Sequence, residues 1–62
     1  LTVNIELPPL ALKLRTMRLQ KGLTMVVVSK VCDVSIDDLY KWEIGKAEPS
    51  KEILERLVGF YS

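Results

Sequence analysis

The stretch Thr24 to Gly45, TMVVVSKVCDVSIDDLYKWEIG, carries the punctuation of two short helices with almost nothing between them. The Thr24 hydroxyl can accept from an unpaired backbone donor in the first turn of one helix. Ser35 can do the same for a second, and Asp38 three residues later completes a capping-box pattern. Asp33 and Val34 alone separate that cap from Cys32, the last apolar residue of the first segment. Gly45 stands where a helix commonly ends in a left-handed residue. Helices this short and this closely joined cannot lie antiparallel. They meet at a steep angle, as a helix-turn-helix.

The motif places one helix at about Met25 to Cys32 and the next at about Ile36 to Ile44. Upstream, a helix is expected from about Leu10 to Lys21, opened by Pro9 and closed by Gly22. Its inward stripe is Leu10, Leu14 and Met17. Downstream, a loop with Lys46 and Pro49 leads to Ser50, a third hydroxyl cap. The last helix, about Lys51 to Tyr61, turns Ile53, Leu54, Leu57 and Val58 towards the core. The expected buried set is Leu10, Leu14, Met17, Leu23, Val28, Val31, Val34, Leu39, Trp42, Ile53, Leu57 and Val58.

The segment Leu1–Leu7 alternates apolar and polar residues with period two, a strand signature, and Pro8 and Pro9 end it. A lone strand has no partner in so small a domain. Residues 1–8 therefore read as an arm packed on the helices, as half of a sheet shared with a second copy, or as a disordered leader. The chain lacks an initiator methionine and stops at the end of the last helix, as expected of a fragment. The fold class that emerges is all-α. It is a bundle of four short helices, five with a continuation, preceded by an extended N-terminal arm over 1–8. The domain spans 9–62 and its motif 24–45.

Composition narrows the function classes. Sixty-two residues make one small domain, near the lower limit for folding without disulfides or metal. The apolar fraction of 48% suffices for a helical core. With no histidine and a single cysteine, one chain builds neither a metal cage nor a disulfide framework. No apolar run reaches the length of a membrane span and no signal-peptide layout is visible, so an intracellular protein is expected. There is no histidine base and no glycine-rich phosphate cradle, so neither enzymatic activity nor a cofactor is expected.

The net charge is +1, unevenly placed. Residues 1–31 carry five basic side chains against Glu6, while residues 32–62 carry four against seven acids. The basic half is thus not the half that contains the second helix of the motif.

The run Leu23-Thr24, Val28-Ser29, Val34-Ser35, Leu39, Trp42-Glu43, Gly45-Lys46 and Pro49-Ser50 resembles the helix-turn-helix domain of the Cro and phage-repressor (XRE-like) family. Leu10, Leu14, Arg15, Met17, Arg18, Lys21 and Gly22 fall where that family keeps its first helix. The resemblance covers roughly residues 9 to 61 and implies a lambda-repressor-like fold. It also implies sequence-specific binding of double-stranded DNA in transcriptional control. The expected form is a homodimer on a palindromic site, in the cytoplasm of a bacterium or encoded by a phage.

The resemblance further assigns roles. Residues just after the cap of the recognition helix reach base edges, and Ile36, Asp37, Tyr40 and Lys41 hold those positions. Lys41 can pair with guanine or phosphate, Tyr40 can donate to phosphate or pack on a sugar, Ile36 can meet a thymine methyl, and Asp37 can accept from a cytosine amino group. Arg18 and Glu43 match an ion pair between the first and third helices, and Arg18 and Lys46 fall near backbone phosphates. Met25 stands where the family often has a phosphate-clamping glutamine, although a thioether has no hydrogen to donate. Asp37 and Asp38 replace the family's usual glutamine, arginine, serine or threonine. They suit the positive end of a helix, yet they face a polyanion. Trp42 and Cys32 read as core residues.

Leu12, Leu19, Val26, Val27 and Ile44 are apolar at positions that the pattern leaves exposed. So many in one small domain point to a contact with another chain, a homodimer or other protein partner. Two functions therefore compete. One is a DNA-binding domain reading the major groove with helix 36–44 as a dimer. The other is the same fold used as a protein-interaction module with little or no DNA binding. Met25, Val26, Val27, Asp37 and Asp38 favour the second.

Overall fold

The helix boundaries follow from where each terminal backbone group finds its partner. The computed structural model describes residues 9–62: α1 is Pro9–Gln20, α2 Met25–Cys32, α3 Ile36–Ile44 and α4 Lys51–Tyr61. Among the described residues there is no strand, and the strand expected at Leu1–Leu7 lies outside them. α1 starts and ends one residue earlier than the expected Leu10 to Lys21, and Pro9, expected to open it, occupies its first helical position. The expected bounds of the other three are met.

All three hydroxyl caps form. Thr24 Oγ1 accepts from the Val27 amide at 3.2 Å, Ser35 Oγ from Asp38 at 2.9 Å and Ser50 Oγ from Ile53 at 3.3 Å. The C-terminal ends close through left-handed residues. After α1, Gly22 has φ 68°, its amide donates to the Leu19 carbonyl, and the Leu23 amide donates to Arg18. That pair of bonds is a Schellman closure. After α3, Gly45 takes φ 84° and both its amide and that of Lys46 donate to the Lys41 carbonyl.

After α2 the same closure is made without glycine. Asp33 sits at φ 58°, ψ 51°, and the Asp33 and Val34 amides donate to the Ser29 carbonyl. The Ser29 hydroxyl donates back to the Val34 carbonyl, locking the turn of the motif from both sides. Arg56 reaches across from α4 and donates from Nη1 to the Cys32 carbonyl at 2.7 Å. A cation at the negative end of α2 is favoured by the helix dipole.

α1 packs on α3 and α4, and α2 packs on the same two. The core is Leu14, Val28, Cys32, Leu39, Trp42, Leu57 and Tyr61, flanked by the partly buried Leu10, Met17, Leu23, Val34 and Ile53. Burying one such leucine completely, as at Leu39, contributes about 1.5–3 kcal/mol.

Two expected core residues are corrected: Val31 is 57% and Val58 37% exposed. The inward line of α2 runs through Val28 and Cys32, four residues apart, and Val31 lies on its flank. In α4 the line is Ile53, Leu57 and Tyr61, which turns Val58 outward. Ala11 and Tyr61 are buried and were not in the expected core. Of the apolar residues expected at the surface, Leu12, Leu19, Val26 and Val27 are exposed, whereas Ile44 is half-buried.

Candidate nucleic-acid interface

One ion pair sets the angle at which α3 is displayed. Arg18 leaves the last turn of α1 and meets Glu43 of α3 through two parallel bonds, Nε to Oε2 at 2.8 Å and Nη2 to Oε1 at 3.0 Å. Its remaining terminal nitrogen, Nη1, donates to the Leu23 carbonyl at 2.8 Å. The pair is buried, Arg18 at 8% exposure and Glu43 at 1%. The hydrogen bonds that Arg18 donates to the Glu43 carboxylate raise the Arg18 pKa above its already high ordinary value. Bidentate geometry of this kind fixes orientation as well as contributing energy. Tyr61 lies beside the pair, its hydroxyl buried with no hydrogen-bond partner among the described residues. Burial pushes its pKa up to about 12.

With Glu43, Leu39 and Trp42 facing inward, α3 turns its other side to solvent. Ile36, Asp37, Tyr40 and Lys41 are all exposed there, starting at the capped end of the helix. Lys46 is exposed in the loop beyond Gly45. Met25, the first residue of α2, is half-buried and faces α3 across an open groove of about 220 Å³. Arg15, Arg18, Tyr40, Glu43 and Ile44 complete its lining.

The structure thus gathers three of the expected site residues, Arg18, Met25 and Tyr40, around one groove. Ile36, Asp37 and Lys41 lie on the open side of the same helix, and Lys46 lies beyond its C-terminal end. Arg18 is committed inward to Glu43 and Leu23. The exposed cation of this groove is Arg15, which the sequence reading placed in the first helix without assigning it a site. Its position three residues before Arg18 was the available signal, since i and i+3 share a helix face. Cys32 is buried and its thiol pKa is raised by that burial, which disfavours the nucleophilic thiolate.

A family model described as "Helix-turn-helix domain" matches residues 9–62. The chain belongs to the helix-turn-helix domain family. No curated protein and no solved structure matches it. In helix-turn-helix domains the second helix of the motif is the one that enters the major groove of DNA, and here that helix is α3. None of the described helices of this helix-turn-helix domain is long and apolar enough to cross a membrane. Among the described residues no three of the cysteine and carboxylate side chains converge to hold a metal ion.

Proposed function

We propose that this is the sequence-specific DNA-binding domain of a transcriptional regulator, a repressor of the Cro type from a bacterial or phage genome, acting in the cytoplasm as a homodimer. The observation that carries the reading is the display of α3. Its inner side is pinned by the Arg18–Glu43 pair, while Ile36, Asp37, Tyr40 and Lys41 stand free at the end that helix-turn-helix domains present to base edges. Arg15 and Lys46 flank that surface and supply charge for backbone phosphates. A two-fold pair of such domains reads two half-sites a helical turn apart.

Binding to duplex DNA titrated across a salt series tests the reading. Phosphate contacts release counterions, so affinity falls steeply as salt rises. Selection of bound sequences from random duplexes then yields a palindrome if the binding unit is a dimer.

A second reading is favoured by a separate observation. Val26, Val27 and Val31 of α2, with Leu12 and Leu19 of α1, are each 41–57% exposed. In this reading the domain is a protein-interaction module. Met25 provides no donor for a phosphate, and Asp37 and Asp38 face the partner. A parent protein that ignores duplex DNA at low salt decides for this alternative.

A further inference from the structure

The groove between α1, α2 and α3 is apolar along its sides and carries one uncompensated charge. Met25, Tyr40 and Ile44 give it apolar surface, and the buried Arg18–Glu43 pair lies among them. Arg18 and Glu43 neutralise each other, so two cations less one carboxylate leave the single positive charge of the exposed Arg15. A concave site with mostly apolar lining and one placed polar group is the usual build of a small-molecule site. Its open volume of about 220 Å³ limits the ligand to a small one. The single charge selects a monoanion, and a guanidinium meets a carboxylate through two parallel hydrogen bonds. The apolar sides select a hydrocarbon chain behind that head. They are poorly matched to a hydrated phosphate, because the Met25 thioether has no hydrogen to donate to its remaining oxygens.

We propose that this groove binds a small aliphatic carboxylate, with its head on Arg15 and its chain along Met25, Tyr40 and Ile44, and that the bound acid competes with DNA. The competition rests on the DNA-binding reading above, because Arg15 and Tyr40 belong to both surfaces. The ligand site stands independently of it.

The test follows the chemical shifts of the isotopically labelled domain during titration with hexanoate. Hexanol supplies the chain without the charge, and acetate the charge without the chain. The expected shifts centre on Arg15, Met25, Tyr40 and Ile44. Hexanoate binds more tightly than acetate, by up to about fourfold for each methylene buried. It also binds more tightly than hexanol, by a factor of about two to five for an exposed ion pair, and Arg15→Gln removes that difference. At about ten times its Kd, hexanoate weakens binding to a duplex at low salt about tenfold relative to the same concentration of acetate. Met25→Gln separates the two ligands. It replaces an apolar side with an amide that can donate to phosphate, so hexanoate binds less tightly and DNA more tightly.

Shifts that spread over the exposed valines of α2, or equal affinity for hexanoate and hexanol, overturn the ligand site and leave the DNA-binding reading standing. Hexanoate held in the groove while DNA binding is unchanged overturns the competition. A domain that binds hexanoate there but ignores duplex DNA at low salt overturns the DNA-binding reading and keeps the ligand site.

Discussion

Arg18 holds Glu43 by both carboxylate oxygens, at 2.8 and 3.0 Å, between α1 and α3, with Glu43 all but sealed from solvent. The pair fixes the crossing of two helices, and the exposed side of the second is the candidate reading surface. Glu43→Ala is expected to destabilise the domain by about 3–5 kcal/mol, because it strands a buried guanidinium. The double variant Arg18→Met, Glu43→Leu should recover much of that loss. Urea denaturation of the two variants checks this; equal losses in both would show that the charge is not the cause.

Tyr61 makes stability depend on pH in the alkaline range. Its folded pKa of about 12 lies above the ordinary tyrosine value of about 10. The folded state therefore keeps a proton that the unfolded chain gives up. The contribution is complete below the unfolded pKa, declines from about pH 10 and is gone above about pH 12, a loss of roughly 2–3 kcal/mol. In Tyr61→Phe this component of the alkaline decline is absent. The orphan hydroxyl is absent too, so stability at neutral pH is equal or higher. Chemical denaturation of parent and variant at pH 8 and at about pH 11 separates the two effects, and parallel alkaline losses would contradict the assignment.

Asp33 carries the left-handed closure of α2 at φ 58°, a conformation that costs most L-residues roughly 1–2 kcal/mol. Asp33→Gly is expected to stabilise the domain by up to about 1 kcal/mol, the steric relief being partly offset by the greater freedom of glycine in the unfolded chain. Asp33→Val should destabilise it, because a branched Cβ is strained there. Thermal melts that rank valine above aspartate would show that the turn adopts another conformation in solution.

How far these features were legible in sequence depends on how local their causes are. The caps at Thr24, Ser35 and Ser50 and the closures at Gly22 and Gly45 act within a few residues, and their residue types announce them. The Arg18–Glu43 pair is long-range and was reached through family resemblance. Nothing comparable signalled that Arg56 of α4 would cap the Cys32 carbonyl, or that Tyr61 would be buried beside the ion pair. Those depend on where the fourth helix lands. Val31 and Val58 show the limit of apolarity as a guide. Each borders an inward line, and only the packing angle determines whether the border is covered. In the candidate site, the exposed row on α3 was legible from the position of the cap, whereas the place of Arg15 at the groove depends on how α1 packs against α3 and on Arg18 being turned inward to Glu43.

The exposed valines at the start of α2 bear on self-association. Val26 is 50% and Val27 41% exposed. Replacing both with serine is expected to change stability by no more than about 0.5 kcal/mol per site, as at ordinary surface positions, while weakening association of the parent chain. Sedimentation velocity over a concentration series measures this. A parent that stays monomeric throughout, with no partner contact altered by the double variant, would leave these valines without a binding role.

The basic and acidic residues around α3 give opposite expectations for DNA. Lys41→Ala should cost on the order of 1–3 kcal/mol and relax sequence preference, as for a side chain that reads a guanine. Lys46→Ala should weaken binding to all sequences alike and flatten the salt dependence by about one unit, as for a phosphate contact. Asp37→Asn removes a charge repelled by the polyanion, so affinity for non-specific duplex should rise while preference for cytosine at one position fades. The three changes differ in sign and in sequence dependence, so a general loss of folding cannot reproduce the set. If Asp37→Asn lowers affinity for every duplex, the carboxylate is not facing DNA, and α3 does not dock with its capped end in the groove.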